Sequence, residues 1–313
     1  MIIDAHVHLI RPFDLQGKPQ VYHPGPAGVE DYVFVMESSG IDRAFFISWS
    51  PEDLPADLEK KGIDVESVRE TMTPDYALEV MKKFSDRFYW FPCHIGPEVP
   101  DHMAMARKHL QMGAAGLKLV LSFWGELPDD SRVIPFYDLV GEFNAQMIID
   151  TSFRYLGKDQ PADPDTLLQG HRETALRVKD YRDYLEHLRT IFKEYPTVNF
   201  QLAHAGARTL TDEHAREIGS FVREFSNVYV DLAGLPLEKP AFEVLVDAVG
   251  DDRVMFGTDW PHYAQGSEMT EGWIDQVRKP GRFSDETVAK ILGENALEFV
   301  RHREPGLHNP EVM

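Results

Sequence analysis

Cysteine is nearly absent: Cys93 is the only one in 313 residues. That excludes an internal disulfide framework and suits a reducing compartment. Set in the apolar run "FYWFPCHI", Cys93 reads as inert core rather than as a nucleophile. Basic residues are also scarce, and 32 of them against 52 acidic ones give a formal charge of -20. Such a surface repels polyanions, so neither nucleic acid nor an anionic membrane face is an expected partner. An anionic substrate then needs a local basic pocket. No apolar run approaches the roughly 20 residues that span a bilayer. The start "MIID" lacks the basic residues and long apolar core of a secretory signal. A cytoplasmic location is the expectation. Neither a G-x-S-x-G elbow nor a G-x-x-x-x-G-K-[ST] phosphate loop occurs.

What is present is an alternation. Eight segments rich in branched and aromatic residues lie at 1–9, 42–49, 87–95, 114–121, 146–153, 198–206, 228–235 and 253–260. Between them, 75–87, 102–113, 134–146, 183–195, 214–226 and 241–250 place apolar residues at helical spacing. A last helix over 284–302 begins with a serine cap followed by acidic residues. Continuous apolar strands separated by helices argue for a parallel sheet covered by helices. Eight such units predict an α/β chain folded as one (β/α)₈ barrel domain over residues 1–313. Two stretches rich in Pro, Asp and charge, 50–73 and 154–180, follow the second and fifth strands. Loops after strands build the mouth of such a barrel, so these read as lids or specificity loops, with surface decoration or subunit contact as the alternative.

The first strand, "MIIDAHVHL", carries three ionisable side chains in an apolar run. Residues two apart on a strand share a face, so His6 and His8 project together and can hold one cation. With 13 histidines in the chain, a His-x-His triplet arises by chance in roughly half of such sequences. Company at other strand ends is what gives it weight. "FQLAHAG" ends the sixth strand with His204, and "MFGTDWPH" ends the eighth with Asp259. A shared cation at one barrel mouth accounts for all four, since burying imidazoles and a carboxylate without a partner is costly.

"DAHVH", "LAHAG", "GTDWPH" and "ILGENALEFV" together resemble the amidohydrolase superfamily. Within it they look most like the amidohydrolase-related branch that holds aminocarboxymuconate semialdehyde decarboxylase, aromatic acid decarboxylases and lactonases. The resemblance runs from residue 2 to about 300 and implies that His6, His8, His204 and Asp259 hold a single divalent metal ion. Zinc is the first expectation and manganese the second. It implies a small-molecule carboxylated substrate, such as a lactone attacked by metal-bound water, with Asp259 and His204 as catalytic groups and Asp259 carrying the proton. "GTDWPH" looks more like the lactonase version. Decarboxylation of an aromatic or muconate-type acid is the alternative, and an inactive barrel that binds a small molecule is a third reading.

Relatives often carry a histidine after the fifth strand, where "MIIDTSF" has Asp150. Asp150 either ligates the metal through oxygen or caps the following turn. Lys118 in "AAGLKLVL" is read as an anion-binding or hydrogen-bonding group, or as a lysine whose stem packs while its amine reaches the rim. Arg154 and Tyr155 are candidates to clamp a substrate carboxylate, with Arg208 and His262 as further groups at the mouth. Trp124 and Trp260 are candidate walls for a ring, and Trp260 is equally a core residue. His94 sits at the end of the third strand. His23, His102, His109, His171 and His187 show no second ligand pair and read as surface or structural residues. Homo-oligomers are common for such barrels, and nothing in the sequence specifies an interface.

Overall fold

The computed structural model describes residues 1–11, 28–49, 73–93, 101–151, 169–206, 210–263, 266–301 and 303–308. Among them, eight strands follow the expected segments: β1 (Ile3–Val7), β2 (Arg43–Ser48), β3 (Phe88–Pro92), β4 (Gly116–Leu119), β5 (Gln146–Ile149), β6 (Phe200–Leu202), β7 (Val228–Asp231) and β8 (Val254–Met255). Every paired neighbour is parallel. The strands form two arcs, β1-β2-β3 and β4-β5-β6-β7-β8. The arcs meet at both seams. At one, Ala115 N donates to Trp90 O at 2.8 Å and Cys93 bridges Lys118; at the other, Ala5 N donates to Phe256 O at 2.8 Å and Val7 bridges Trp260. The sheet therefore closes into the (β/α)₈ barrel that the alternation predicts.

Strands in such a barrel are covered on both faces, which is why they read as nearly continuous apolar runs. Ala44, Phe46, Phe88, Trp90, Met147 and Ile149 belong to the cluster shared with the helices. The residues between them, including Phe45, Ile47, Tyr89, Phe91 and Ile148, belong to a second cluster that fills the interior. The final helical stretch runs through Asp285–Ala289, a π turn at Lys290–Glu294, and Asn295–Phe299. Its start is capped as expected, the Ser284 hydroxyl accepting from Thr287 N at 3.1 Å. The Phe299 ring lies 5.8 Å from Phe45 and 5.5 Å from Tyr229. Asn199, just before β6, donates to Phe299 O at 2.9 Å. This helix thus plugs the N-terminal end of the barrel and leaves the other end for chemistry.

Three helices depart from the expected pattern: Val29–Ser39, Gln169–Arg177 and Gly266–Arg278. The second lies within the stretch 154–180 that follows β5. It buries Gly170, His171 and Thr174 while Leu176 stands 87% exposed, so its apolar pattern is reversed and periodicity could not reveal it. A Cβ on Gly170 would lie 1.9 Å from Phe123 O, so only glycine allows the helix this close to the segment after β4. Arg177 then ties it to Gly125 O at 2.9 Å and to Asp130 at 2.6 Å. The lid or specificity role assigned to 50–73 and 154–180 falls mostly on 50–72 and 152–168, outside the described residues. Among the described residues no helix is long and apolar enough to cross a membrane.

Candidate active site

The site begins with an irregularity in β1. Asp4 pairs with Ala44 but Val7 pairs with Phe46, so one extra residue is accommodated between them. Such a bulge breaks the period of two and re-aims the side chains beyond it. Ala5 lies in the interior cluster, and beyond the irregularity His6 and His8 also face inward. Asp4, in step with them by simple parity, instead faces Tyr32 of the helix Val29–Ser39. Its carboxylate accepts from Tyr32 OH at 2.8 Å, Thr258 Oγ1 at 2.6 Å, Thr258 N at 2.9 Å and His6 N at 3.2 Å. Asp4 is thus a tie between β1 and the segment after β8, not a ligand.

Burial pushes the Asp4 carboxyl from its ordinary 3.8 up to about 7, against the pull of its donors. The native state then keeps a proton that an unfolded aspartate has lost. The stability due to this group is fully present below about 3.8 and is lost as pH rises through about 7. A tenfold difference in proton affinity between the two states is worth about 1.4 kcal/mol. The melting temperature of the protein should fall with pH across this window relative to Asp4→Asn, as read by thermal denaturation. Parallel curves for the two proteins would reject the assignment.

Two imidazoles and one carboxylate converge inside the barrel mouth. His6 Nε2 is 3.7 Å and His8 Nε2 3.5 Å from Asp259 Oδ1. Donor atoms of His6, His8 and Asp259 all lie within 4.8 Å of one another, and all three residues are buried. The other ring nitrogens are engaged: His6 Nδ1 meets Asp231 Oδ2 at 3.0 Å, and His8 Nδ1 meets Ile47 O at 3.1 Å. Carboxylates and carbonyls only accept, so the Asp231 contact places the proton of His6 on Nδ1 and a lone pair on its Nε2, and the Ile47 contact favours the same tautomer for His8. Burial, with the Lys118 charge next, holds His8 well below the usual histidine range, which keeps it neutral. Nitrogen lone pairs beside a carboxylate oxygen attract a cation, and the Lys118 ammonium already meets the His6 Nε2 at 3.0 Å. Nitrogen and oxygen donors of this kind suit zinc or manganese, so the residues fit a divalent ion.

His204 stands beside this group, its ring 4.7 Å from that of His6. Its Nδ1 meets Ala233 O at 2.8 Å, so its Nε2 also carries a lone pair, which faces Asp150 Oδ2 at 3.5 Å. His204 and Asp259 both have φ of 56°, the left-handed region that non-glycine residues rarely adopt. Strain of this sort collects at functional sites and persists only where surrounding contacts over-determine it. Gly257 passes close under the cluster: a Cβ there would sit 3.2 Å from His6 Cβ.

Of the remaining expected residues, Asp150 lines the same space and Lys118 is fully buried. The Lys118 ammonium lies 3.0 Å from His6 Nε2 and 3.8 Å from Asp150 Oδ2. Its stem does not carry the amine out to the rim. The His262 ring stands edge-on to His8 with centroids 4.9 Å apart. Trp124 is half-buried against the interior cluster. Trp260 is core, packed on Tyr32 at 4.9 Å. Arg154, Tyr155, Arg208 and His94 lie outside the described residues. His171 is buried, edge-on to Phe123 at 5.3 Å.

Sequence reasoning missed Trp49, Gln201 and Asp231. The Trp49 indole lies 3.1 Å from His8 Nδ1, and its ring stacks on Phe123. That nitrogen cannot both accept from Trp49 and donate to Ile47 O, which lie equally far at 3.1 Å; a cation bound at Nε2 would select the Ile47 bond. Asp231 had a legible signal, since "VYVD" ends a buried strand on a carboxylate that needs partners.

A closed (β/α)₈ barrel with imidazoles and a carboxylate gathered at its mouth defines the class as a metal-dependent barrel enzyme. The chain belongs to the amidohydrolase family, whose profile matches residues 3–301. No curated protein matches it. Solved structures share the fold at low identity. A probable 2-pyrone-4,6-dicarboxylic acid hydrolase from Acinetobacter baumannii, with citric acid bound, is 15% identical with a TM-score of 0.59, covering 96% of this chain and 99% of its own. An amidohydrolase from Burkholderia multivorans is 14% identical with a TM-score of 0.58, covering 96% and 99%. The 5-carboxyvanillate decarboxylase of Novosphingobium aromaticivorans, complexed with manganese and a nitrobenzoic acid, is 18% identical with a TM-score of 0.56, covering 86% and 79%.

Proposed function

We propose that the protein is a metal-dependent hydrolase acting on a small cyclic carboxylated compound such as a lactone. The observation that carries this reading is the convergence of His6 Nε2 and His8 Nε2 on Asp259 Oδ1. His6, His8 and Asp259 would hold the ion, with His204 and Asp150 beside it. A divalent ion supplies Lewis acidity and can lower the pKa of bound water to about 7. Asp259 takes the proton of the attacking water as its oxygen bonds to the ring carbonyl carbon. When the ring carbon–oxygen bond breaks, Asp259 returns that proton to the leaving oxygen. Lys118 is the buried cation for a substrate carboxylate in an otherwise acidic molecule. His262 and Trp124, with Arg154, Tyr155 and Arg208, are proposed for the substrate-binding mouth.

The resemblance of "GTDWPH" to lactonase members favours ring opening over decarboxylation. Protein loaded with zinc or manganese should open pyrone and lactone carboxylates, monitored by loss of ring absorbance and uptake of base. Carbon dioxide release without ring opening would replace hydrolysis by decarboxylation. Failure to retain either metal would leave only the inactive binding barrel.

A further inference from the structure

The Asp231 carboxylate, fully buried at the end of β7, receives four donors. His204 N and Ala233 N reach Oδ1 at 2.8 and 3.1 Å. Gln201 Nε2 and His6 Nδ1 reach Oδ2 at 2.5 and 3.0 Å. The same Gln201 nitrogen donates to Ala5 O at 3.0 Å, a carbonyl inside the irregular stretch of β1. One side chain therefore touches the His6 ring and the left-handed backbone of His204, and through Gln201 it reaches the bulge that turns His6 inward.

We propose that Asp231 is a positioning residue that fixes the tautomer and aim of His6 and the backbone of His204, with Gln201 as its brace. A neutral imidazole carries one N–H, and an acceptor-only carboxylate draws that hydrogen to Nδ1. Nε2 is left with a lone pair on the side of the ring where Asp259 and Lys118 lie. The Lys118 ammonium, which can only donate, meets that same Nε2 at 3.0 Å and agrees with this assignment. A carboxylate behind a ligating histidine fixes ring orientation and raises its basicity. The His204 N–H bonded to Oδ1 helps hold a backbone conformation that a free chain avoids.

Donor atoms of His6, His204 and Asp231 also lie within 4.8 Å of one another. They do not make a second cation site. Each Asp231 oxygen already accepts from two N–H groups, and the His6 nitrogen that faces it carries a hydrogen. The group is a hydrogen-bond hub behind the metal ligands.

The inference rests on the metal-centre reading, so its test has one arm without metal. Nitrogen-15 spectra of histidine-labelled, metal-free protein report the His6 tautomer, and zinc affinity is read by competition with a chelator. In Asp231→Asn, the two backbone N–H groups hold the amide oxygen at the Oδ1 position. The amide nitrogen then faces His6 Nδ1 and donates to it. His6 should lose its preference for the Nδ1 proton, and zinc affinity should fall about 10- to 100-fold with the fold retained. An unchanged tautomer with unchanged affinity overturns the proposal. If that variant does not fold, Gln201→Leu decides: it frees the Ala5 carbonyl and must weaken zinc binding while His6 keeps its Nδ1 proton. Native affinity in Gln201→Leu, or a wild-type His6 protonated on Nε2, refutes the proposal. Wild-type protein that shows the Asp231-dependent tautomer but takes up no zinc rejects the metal centre instead, and leaves the positioning of His6 standing.

Discussion

Asp259→Asn is expected to lower kcat by about 10²- to 10⁴-fold, the usual contribution of a positioned acid or base. Because Asp259 would also hold the ion, kcat is compared on protein saturated with metal. Asp259 sits at φ 56°, and asparagine is among the few side chains that tolerate the left-handed region, so the backbone survives the exchange. The amide can still offer an oxygen to a cation but cannot take a proton from water. Turnover of a lactone carboxylate should collapse while circular dichroism stays native. Near-normal kcat would remove Asp259 from the chemistry.

A second large effect is expected at His8. Its Nε2 and that of His6 are the imidazole donors facing Asp259 Oδ1, 3.5 and 3.7 Å away. His8→Ala leaves one imidazole and one carboxylate. Zinc affinity should drop by more than the roughly 10- to 100-fold that a supporting group commands. Metal content after dialysis against a weak chelator measures this directly. His262→Ala is the matched comparison, because its ring touches His8 edge-on at 4.9 Å without belonging to the donor cluster. It should keep its metal and alter KM. Equal metal loss in both variants would mean that aromatic packing, not ligation, holds the cluster.

Particular elements show how much was legible. The strands could be read because a barrel buries both of their faces, so that "RAFFIS" or "QMII" admits no exposed position. The helix Tyr181–Glu194 could be read because it buries Tyr184, Leu185, Leu188, Ile191 and Phe192 along one face. Val29–Ser39 could not, because Phe34 stands 64% exposed while Tyr32, Val35 and Met36 are buried, leaving no clean stripe. Gly266–Arg278 has a glycine at 272 and an exposed Met269, which blur its pattern likewise.

Local spacing thus determined the barrel, the strand ends on which His6, His8, His204 and Asp259 stand, and the capped final helix, because burial periodicity and capping are properties of neighbouring residues. The tertiary structure alone decided that Asp4 turns away from the histidines that follow it, since a bulge reverses strand parity without altering composition. It alone decided that Asp231 meets His6 across 225 positions. Nothing in local pattern encodes which distant strand end will supply the partner that a buried imidazole requires; only closure of the sheet brings them together.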